Sequence, residues 1–138
     1  KVLADPVRIF EVVGNLVSNA INYTPQGGKI ILSAQKYNEN EVITAVADNG
    51  KGIPREALNH LFTKFFRVQG AMDHSSNSKG NGLGLYLSKS IVDLHHGKIW
   101  AQSPGAGLGT TFYFTLPIAK RVSLSSKLAP LHVVPTGL

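Results

Sequence analysis

The chain has 138 residues, of which 43% are hydrophobic and 16% charged, so it holds enough apolar material for the core of one domain. It has no cysteine, which excludes a disulfide scaffold, a cysteine-ligated zinc site and a thiol nucleophile. The net charge of +6 lies in the second part, where residues 51–138 hold 10 Lys or Arg against 3 Asp or Glu, and this excess favours an anionic partner such as a polyphosphate, a lipid or a nucleic acid.

The first part of the chain predicts a helix followed by a hairpin. Residues 6–22 have helical spacing, Asp5 can cap the helix and Pro6 fits its first turn. Residues 29–36 and 41–48 read as strands, and the polar residues 38–40 between them suit a hairpin turn. The apolar stripe expected to face the core consists of Ile9, Val13, Leu16, Val17 and Ala20.

The second part predicts a short helix, a loop, a longer helix and two strands. Residues 55–66 are helical and end in three phenylalanines expected in the core, Phe62, Phe65 and Phe66. Residues 69–82 are rich in Ser, Asn and Gly, which predicts a mobile loop of a length typical of a lid. Residues 83–96 are helical, with Leu83, Leu87, Ile91 and Leu94 in register, and residues 98–103 and 110–117 read as strands.

This order of elements predicts an α+β fold, with paired strands in one layer and helices gathered on one face. The expected domain covers residues 1–118. Residues 119–138 lose the pattern and contain two prolines, so we interpret them as a linker, a tail or a cloning remnant. The first six residues do not begin a signal peptide, and no apolar run is long enough to span a membrane.

Three groups of residues carry candidate chemistry. Asn15, Asn19 and Asn22 share one helix face, and an amide oxygen is a hard neutral ligand that suits Mg²⁺, although a solvated helix face gives the same pattern. Residues 48–52 (DNGKG) place a carboxylate and two glycines at the end of a strand. This pattern allows a flat ligand to approach closely and donate to the carboxylate, but it is also typical of an ordinary turn. Residues 80–85 (GNGLGL) open a helix, where free amides bind phosphate or glycines serve as a hinge.

Taken together, the motifs resemble the ATP-binding catalytic domain of sensor histidine kinases. Residues 15–24 (NLVSNAINYT) resemble the N box, residues 48–53 (DNGKGI) the first glycine box and residues 62–67 (FTKFFR) the F box. Residues 80–85 (GNGLGL) resemble the second glycine box, and residues 107–112 (GLGTTF) the closing glycine-rich segment. The resemblance implies the Bergerat fold of the GHKL superfamily, a two-layer sandwich whose mixed, mostly antiparallel sheet and helices hold ATP beneath a flexible lid.

The resemblance also implies roles for individual residues. Asn19 is expected to ligate Mg²⁺, and Asn15 to act with it near the phosphates as the second catalytic residue. Asp48 is expected to accept a hydrogen bond from the adenine amino group. The remaining nucleotide-binding positions that it implies are Asn22, Tyr23, Gly50, Gly52, Ile53, Phe66, Arg67, Lys79, Gly80, Gly82, Leu83, Gly84, Leu85 and Thr111. Many members of the family carry lysine at the position of Asn22, so this chain lacks one positive charge that would face the phosphates there. Lys79 or Lys64 could supply that charge.

The implied activity is transfer of the ATP γ-phosphoryl group to a histidine on a separate dimerisation domain, with a response regulator downstream. The ATPase branches carry a glutamate base at the position of Asn15, and an amide cannot act as that base. None of the five histidines is followed by Asp or Glu, so the acceptor is expected outside this chain, and His95 and His96 are expected to be cations at a helix end.

Two alternatives stay open, namely an anti-sigma-type GHKL serine kinase and a non-catalytic nucleotide-binding regulatory module. Whichever of these functions applies, we expect a cytoplasmic domain that is monomeric by itself and contacts neither nucleic acid nor membrane. The full-length protein to which it belongs could be membrane-anchored.

Overall fold

The structure is a computed structural model that describes residues 1–68 and 82–119. The predicted tail and all of the predicted lid except Gly82 lie outside these residues. The helices are α1 (Pro6–Tyr23), α2 (Arg55–Leu58) and α3 (Gly84–Leu94), and the strands are β1 (Ile30–Lys36), β2 (Glu41–Asp48), β3 (Ile99–Gln102) and β4 (Thr110–Pro117).

The four strands form one sheet in the order β1-β2-β4-β3, and every neighbouring pair within residues 1–68 and 82–119 is antiparallel. Helices α1 and α3 pack against each other, α1 over β1 and β2 and α3 over β3 and β4. The core between the layers contains Val46, Phe112 and Phe114 from the sheet and Val12 and Leu16 from α1. The predicted two-layer α+β fold is confirmed. In the described part of the chain, no helix is both long and apolar enough to cross a membrane.

Helix α1 begins as predicted. The Asp5 carboxylate accepts hydrogen bonds from the backbone N–H groups of Val7 (2.9 Å) and Arg8 (3.2 Å), which would otherwise lack helical partners. The predicted apolar stripe faces the core, but its centre is Val12, which the sequence analysis left out and which is fully buried. With Leu16 and Ala20 it forms an i, i+4, i+8 row on the face that packs on the sheet.

The predicted apolar face of α3 is wrong in part. Leu87 is 45% exposed and Leu94 is 79% exposed, whereas Ser88, Ile91 and Val92 are buried. The reason is that the Ser88 hydroxyl accepts a hydrogen bond from the Asn15 side chain, so a polar residue occupies the buried face without leaving an unpaired group.

The three phenylalanines after α2 do not share one environment. Phe62 and Phe66 pack against the core, and Phe62 meets Phe112 edge-to-face with ring centroids 6.4 Å apart. Phe65 is 70% exposed and has a positive φ of 62°, so its predicted core position is wrong. This backbone conformation turns the side chain outward while its N–H donates to the carbonyl oxygen of Gly82.

The end of α3 is tied to the start of α1 by His95. Its Nδ1 lies 2.8 Å from the carbonyl oxygen of Ile91, and its Nε2 accepts a hydrogen bond from the N–H of Asp5 at 3.0 Å. Both ring nitrogens of His95 therefore contact the backbone, one within α3 and one at the cap of α1. His96 follows with φ of 59°, the left-handed conformation typical of the residue after a helix.

At the hairpin end of the sheet, Glu41 accepts two side-chain hydrogen bonds. Asn38 Nδ2 donates to Oε2 at 2.7 Å, and the buried Thr115 hydroxyl donates to Oε1 at 3.0 Å. These two bonds, from Asn38 first and then Thr115, hold the pKa of the Glu41 carboxyl below its ordinary value because both favour the charged form.

Candidate active site

The asparagine face of α1 meets the first turn of α3. Asn15 Nδ2 donates to the carbonyl oxygen of Gly84 at 3.4 Å and to the Ser88 hydroxyl at 3.3 Å. Asn19, one turn further along, is half-buried, and its amide has no hydrogen-bond partner within residues 1–68 and 82–119. Asn22 is exposed in the last turn. The structure therefore leaves the amide of Asn19 available for a ligand and uses that of Asn15 to join the two helices.

The end of α1 is fastened to the first glycine box. The carbonyl oxygen of Tyr23 accepts a hydrogen bond from the N–H of Lys51 at 3.0 Å. Gly50 lies so close to the same carbonyl that a Cβ atom at position 50 would collide with it. Only glycine lets the turn approach α1 this closely, and the contact places the last turn of α1 next to the first glycine box.

Asp48 ends β2 at the floor of this turn and is half-buried. One carboxylate oxygen, Oδ1, accepts a hydrogen bond from the N–H of Gly50 at 2.8 Å. In the described part of the chain the other oxygen has no hydrogen-bond partner. Asp48 can therefore keep the turn in shape with one oxygen and bind a donor group of a ligand with the other.

The rest of the turn is held against the closing glycine-rich segment. Gly52 has φ of 67°, and a Cβ atom there would collide with the carbonyl oxygen of Gly105. The buried Ile53 donates its N–H to the Ser103 hydroxyl at 3.0 Å, and that hydroxyl donates to the carbonyl oxygen of Gly109 at 2.7 Å. Sequence reasoning missed Ser103, because its partner Ile53 lies far away along the chain.

The second glycine box starts α3. Gly82 has φ of 71°, a Cβ atom there would lie 2.8 Å from the Cα atom of Phe65, and its carbonyl oxygen accepts the N–H of Phe65 at 3.0 Å. Leu83 is the residue before the helix, and no side chain of residues 1–68 or 82–119 caps the helix start. Gly84 opens the helix beside the Asn15 side chain, and Leu85 packs against the core. Backbone amides of α3 thus begin next to the asparagine face, as a phosphate site requires.

The F box packs beside this helix start. The rings of Phe66 and His60 are 5.6 Å apart, and Arg67 is exposed. Lys64 lies with its ammonium 4.9 Å from the centroid of the Tyr86 ring, in the first turn of α3. Lys79 and Gly80 lie outside the described residues.

Of the expected site residues that the structure describes, Thr111 lies on the wrong side of the sheet. It lines a shallow groove with Ser33, Ala45 and Tyr113 on the face without helices. Neighbouring strand residues point to opposite faces, so the buried Thr110 is the one that faces the same way as its cross-strand partner Asp48. Counting back in twos from the core residue Phe112 would have identified Thr110 from the sequence.

A divalent cation would find only part of its ligands here. Within residues 1–68 and 82–119, no three His, Asp or Glu side chains gather as a metal site does. The amide oxygen of Asn19 is a neutral, hard donor that fits a Mg²⁺ ion whose other ligands are phosphate oxygens and water.

Comparison with known proteins covers nearly all of the described part of the chain. Residues 4–120 match the family described as histidine kinase-, DNA gyrase B- and HSP90-like ATPases. The chain is 40% identical over 115 residues to the adaptive-response sensory kinase SasA of Synechococcus elongatus, and these residues make up 83% of this chain and 28% of SasA. It is also 40% identical over 114 residues to the sensor histidine kinase WalK of Bacillus subtilis, covering 82% of this chain and 18% of WalK. The chain therefore spans less than a third of these relatives.

Solved structures share the fold. A mycobacterial sensor histidine kinase, MprB, superposes with a TM-score of 0.72 at 28% identity, covering 84% of this chain and 74% of that one. The catalytic domain of histidine kinase ThkA superposes with a TM-score of 0.68 at 36% identity, covering 83% of this chain and 69% of that one.

Proposed function

The chain belongs to the family of histidine kinase-, DNA gyrase B- and HSP90-like ATPases, as a histidine kinase catalytic domain, and from this premise we propose that it binds Mg²⁺–ATP and passes the γ-phosphoryl group to a histidine on another domain. The observation that carries the proposal is the meeting of Asn15 with Gly84 and Ser88, because it joins the asparagine face to the glycine box at a helix start.

In this proposal the adenine lies in the first glycine box. Asp48 accepts a hydrogen bond from the amino group of the base through the carboxylate oxygen that does not bind Gly50. Thr110 lies opposite Asp48 on the neighbouring strand. Gly50, Gly52 and Ile53 form the floor, and Tyr23 borders the base at the end of α1.

The phosphates extend from the base toward the start of α3, where the backbone amides of the first helical turn, which begins at Gly84, can donate to them. Asn19 would ligate Mg²⁺, which when bound neutralises charge on the transferring phosphoryl group. Phe66 and Arg67 border this end, and the motif alone supports our proposal that Lys79 and Gly80 also take part in nucleotide binding.

Transfer is favoured over hydrolysis by the residue at position 15. The Asn15 side-chain amide donates to the Gly84 carbonyl oxygen and to the Ser88 hydroxyl, and it has no basic group with which to activate water. The attacking imidazole and the base that assists it would come from the dimerisation domain, and a response regulator would receive the phosphoryl group afterwards. The isolated chain would then be a monomer acting in the cytoplasm.

Calorimetric titration with adenylyl imidodiphosphate, with and without Mg²⁺, tests the binding step. We expect saturable binding at one site that weakens when Mg²⁺ is removed, and an absence of binding would overturn the proposal. Adding a histidine-bearing dimerisation domain and radiolabelled ATP tests the transfer. An acid-labile phosphorylated product is expected, whereas an acid-stable one would indicate the serine kinase alternative, and no product would indicate a regulatory module.

A further inference from the structure

We propose that Tyr86 is a positioning residue, which holds the ammonium of Lys64 at the phosphate end of the site and so replaces the charge that the N box lacks at Asn22. This inference rests on the proposed nucleotide site. It concerns two residues of this chain that contact each other, Lys64 from the F box and Tyr86 from the first turn of α3.

The geometry of the pair is that of a cation–π interaction. The Lys64 ammonium is 4.9 Å from the centroid of the Tyr86 ring, within the distance at which a ring face attracts a cation. The backbone beside Lys64 is fixed independently, because Phe65 donates its N–H to Gly82 and a Cβ atom at position 82 would collide with Phe65. The lysine therefore extends from an anchored segment onto a half-buried ring.

The electrostatics of this position call for an anion. A cation near the N-terminus of a helix meets the positive end of the helix dipole, which is unfavourable unless a negative group balances both. The first turn of α3 contains no acidic residue, and Lys64 has no carboxylate partner among the residues that the structure describes. The Lys64 ammonium contacts a residue of the first turn of α3, where helix amides begin, and a nucleotide polyphosphate would balance the positive charge of both.

The N box offers no competing charge. Asn22 is exposed on the last turn of α1 and carries no charge, while the asparagine before it in the row, Asn19, is neutral as well. A cation from the F box, held in place by an aromatic ring, would supply the attraction that the family resemblance assigns to a lysine at position 22.

The experiment measures the affinity of the whole chain for Mg²⁺–ATP and for Mg²⁺–AMP by calorimetry. We expect Lys64→Met to weaken ATP binding about fivefold or more, and Tyr86→Leu to weaken it about two- to fivefold, because exposed cation–π contacts are of this strength. AMP affinity should stay unchanged in both, because AMP lacks the distal phosphates. Tyr86→Phe, which keeps the ring, should match the wild type.

Two further variants separate positioning from folding. In the double variant Lys64→Met with Tyr86→Leu, the loss should equal that of Lys64→Met alone, because Tyr86 acts only through Lys64. Adding Asn22→Lys to Lys64→Met should restore ATP affinity. Lys89→Met is the control, since this lysine pairs with Asp93 at 2.7 Å on the same helix, and it should leave affinity unchanged.

The outcomes distinguish the two proposals. If the wild-type chain fails to bind ATP, the proposed function is wrong. If it binds ATP while Lys64→Met and Tyr86→Leu have no effect, or reduce ATP and AMP affinity equally, the inference is wrong and the proposed function stands. Additive losses in the double variant would likewise overturn the role of Tyr86.

Discussion

Asp48→Asn tests the adenine contact most directly, because the substitution changes one atom of the site. The amide oxygen can still accept the N–H of Gly50, which Asp48 Oδ1 now accepts at 2.8 Å, so the turn should be preserved. In place of the other oxygen, however, the variant presents an amide NH₂ to the amino group of the base, and two donors then face each other. The site loses a hydrogen bond to a charged acceptor, which is worth about 1.5–3 kcal/mol, or an affinity loss of about 10- to 150-fold.

Titration with a ribose-labelled fluorescent ATP measures this loss, and unlabelled ATP and inosine triphosphate then compete for the site. Inosine carries a carbonyl oxygen where adenine carries the amino group, so Asp48→Asn should raise the affinity for inosine triphosphate relative to ATP. Asp93→Asn makes the same chemical change on the exposed surface of α3, where Asp93 pairs with Lys89, and should leave both affinities unchanged. Unaltered ATP affinity in Asp48→Asn, or an unaltered preference between the two bases, would refute the proposed role of Asp48.

Three other predictions concern single residues. Gly52→Ala should lower the free energy of unfolding by about 1–3 kcal/mol, because position 52 has a positive φ and a Cβ atom there would collide with backbone. Gly14→Ala, in open space within α1, should raise it by about 0.5–1 kcal/mol. Thermal unfolding measures both changes. Thr110→Val should weaken ATP binding in the fluorescence titration while Thr111→Val does not, and equal effects would contradict the assignment of faces. For Glu41, whose pKa is lowered in the folded chain, the hydrogen bonds stabilise the fold above the ordinary carboxyl pKa of 4.5, and this contribution disappears as the pH falls through the lowered value. Glu41→Gln should therefore flatten the loss of stability below pH 4.5 in urea titrations at stepped pH, and an unchanged slope would argue against it.

Local patterns were sufficient to predict most of the fold. Helix α1, with its Asp5 cap, and the β1–β2 hairpin lie within a residue or two of their predicted bounds, because capping and strand alternation depend on neighbours in the sequence. The segments that carry the motifs also lie together, since Asn15 contacts Gly84 and the end of α1 contacts the first glycine box.

The errors arose where a distant residue decides the environment. Ser88 can be buried because Asn15, 73 residues away, donates to its hydroxyl, and its neighbour Leu87 is exposed. The contact between the His95 ring and the N–H of Asp5 joins residues that are also far apart in the sequence, which did not predict it. Apolar spacing along α3 contains neither contact, so the pattern alone favoured the wrong leucines.

The first and last described residues lie side by side, which has a practical consequence. Ala119 donates its N–H to the carbonyl oxygen of Lys1 at 3.0 Å, and Val2 pairs with Ile118. A short glycine–serine bridge could therefore join these two points without distorting the sheet, and the polypeptide could be reopened in the exposed turn around Glu39. A circularly permuted version of this kind would keep the asparagine face and both glycine boxes intact, while moving its free ends to the hairpin turn between β1 and β2.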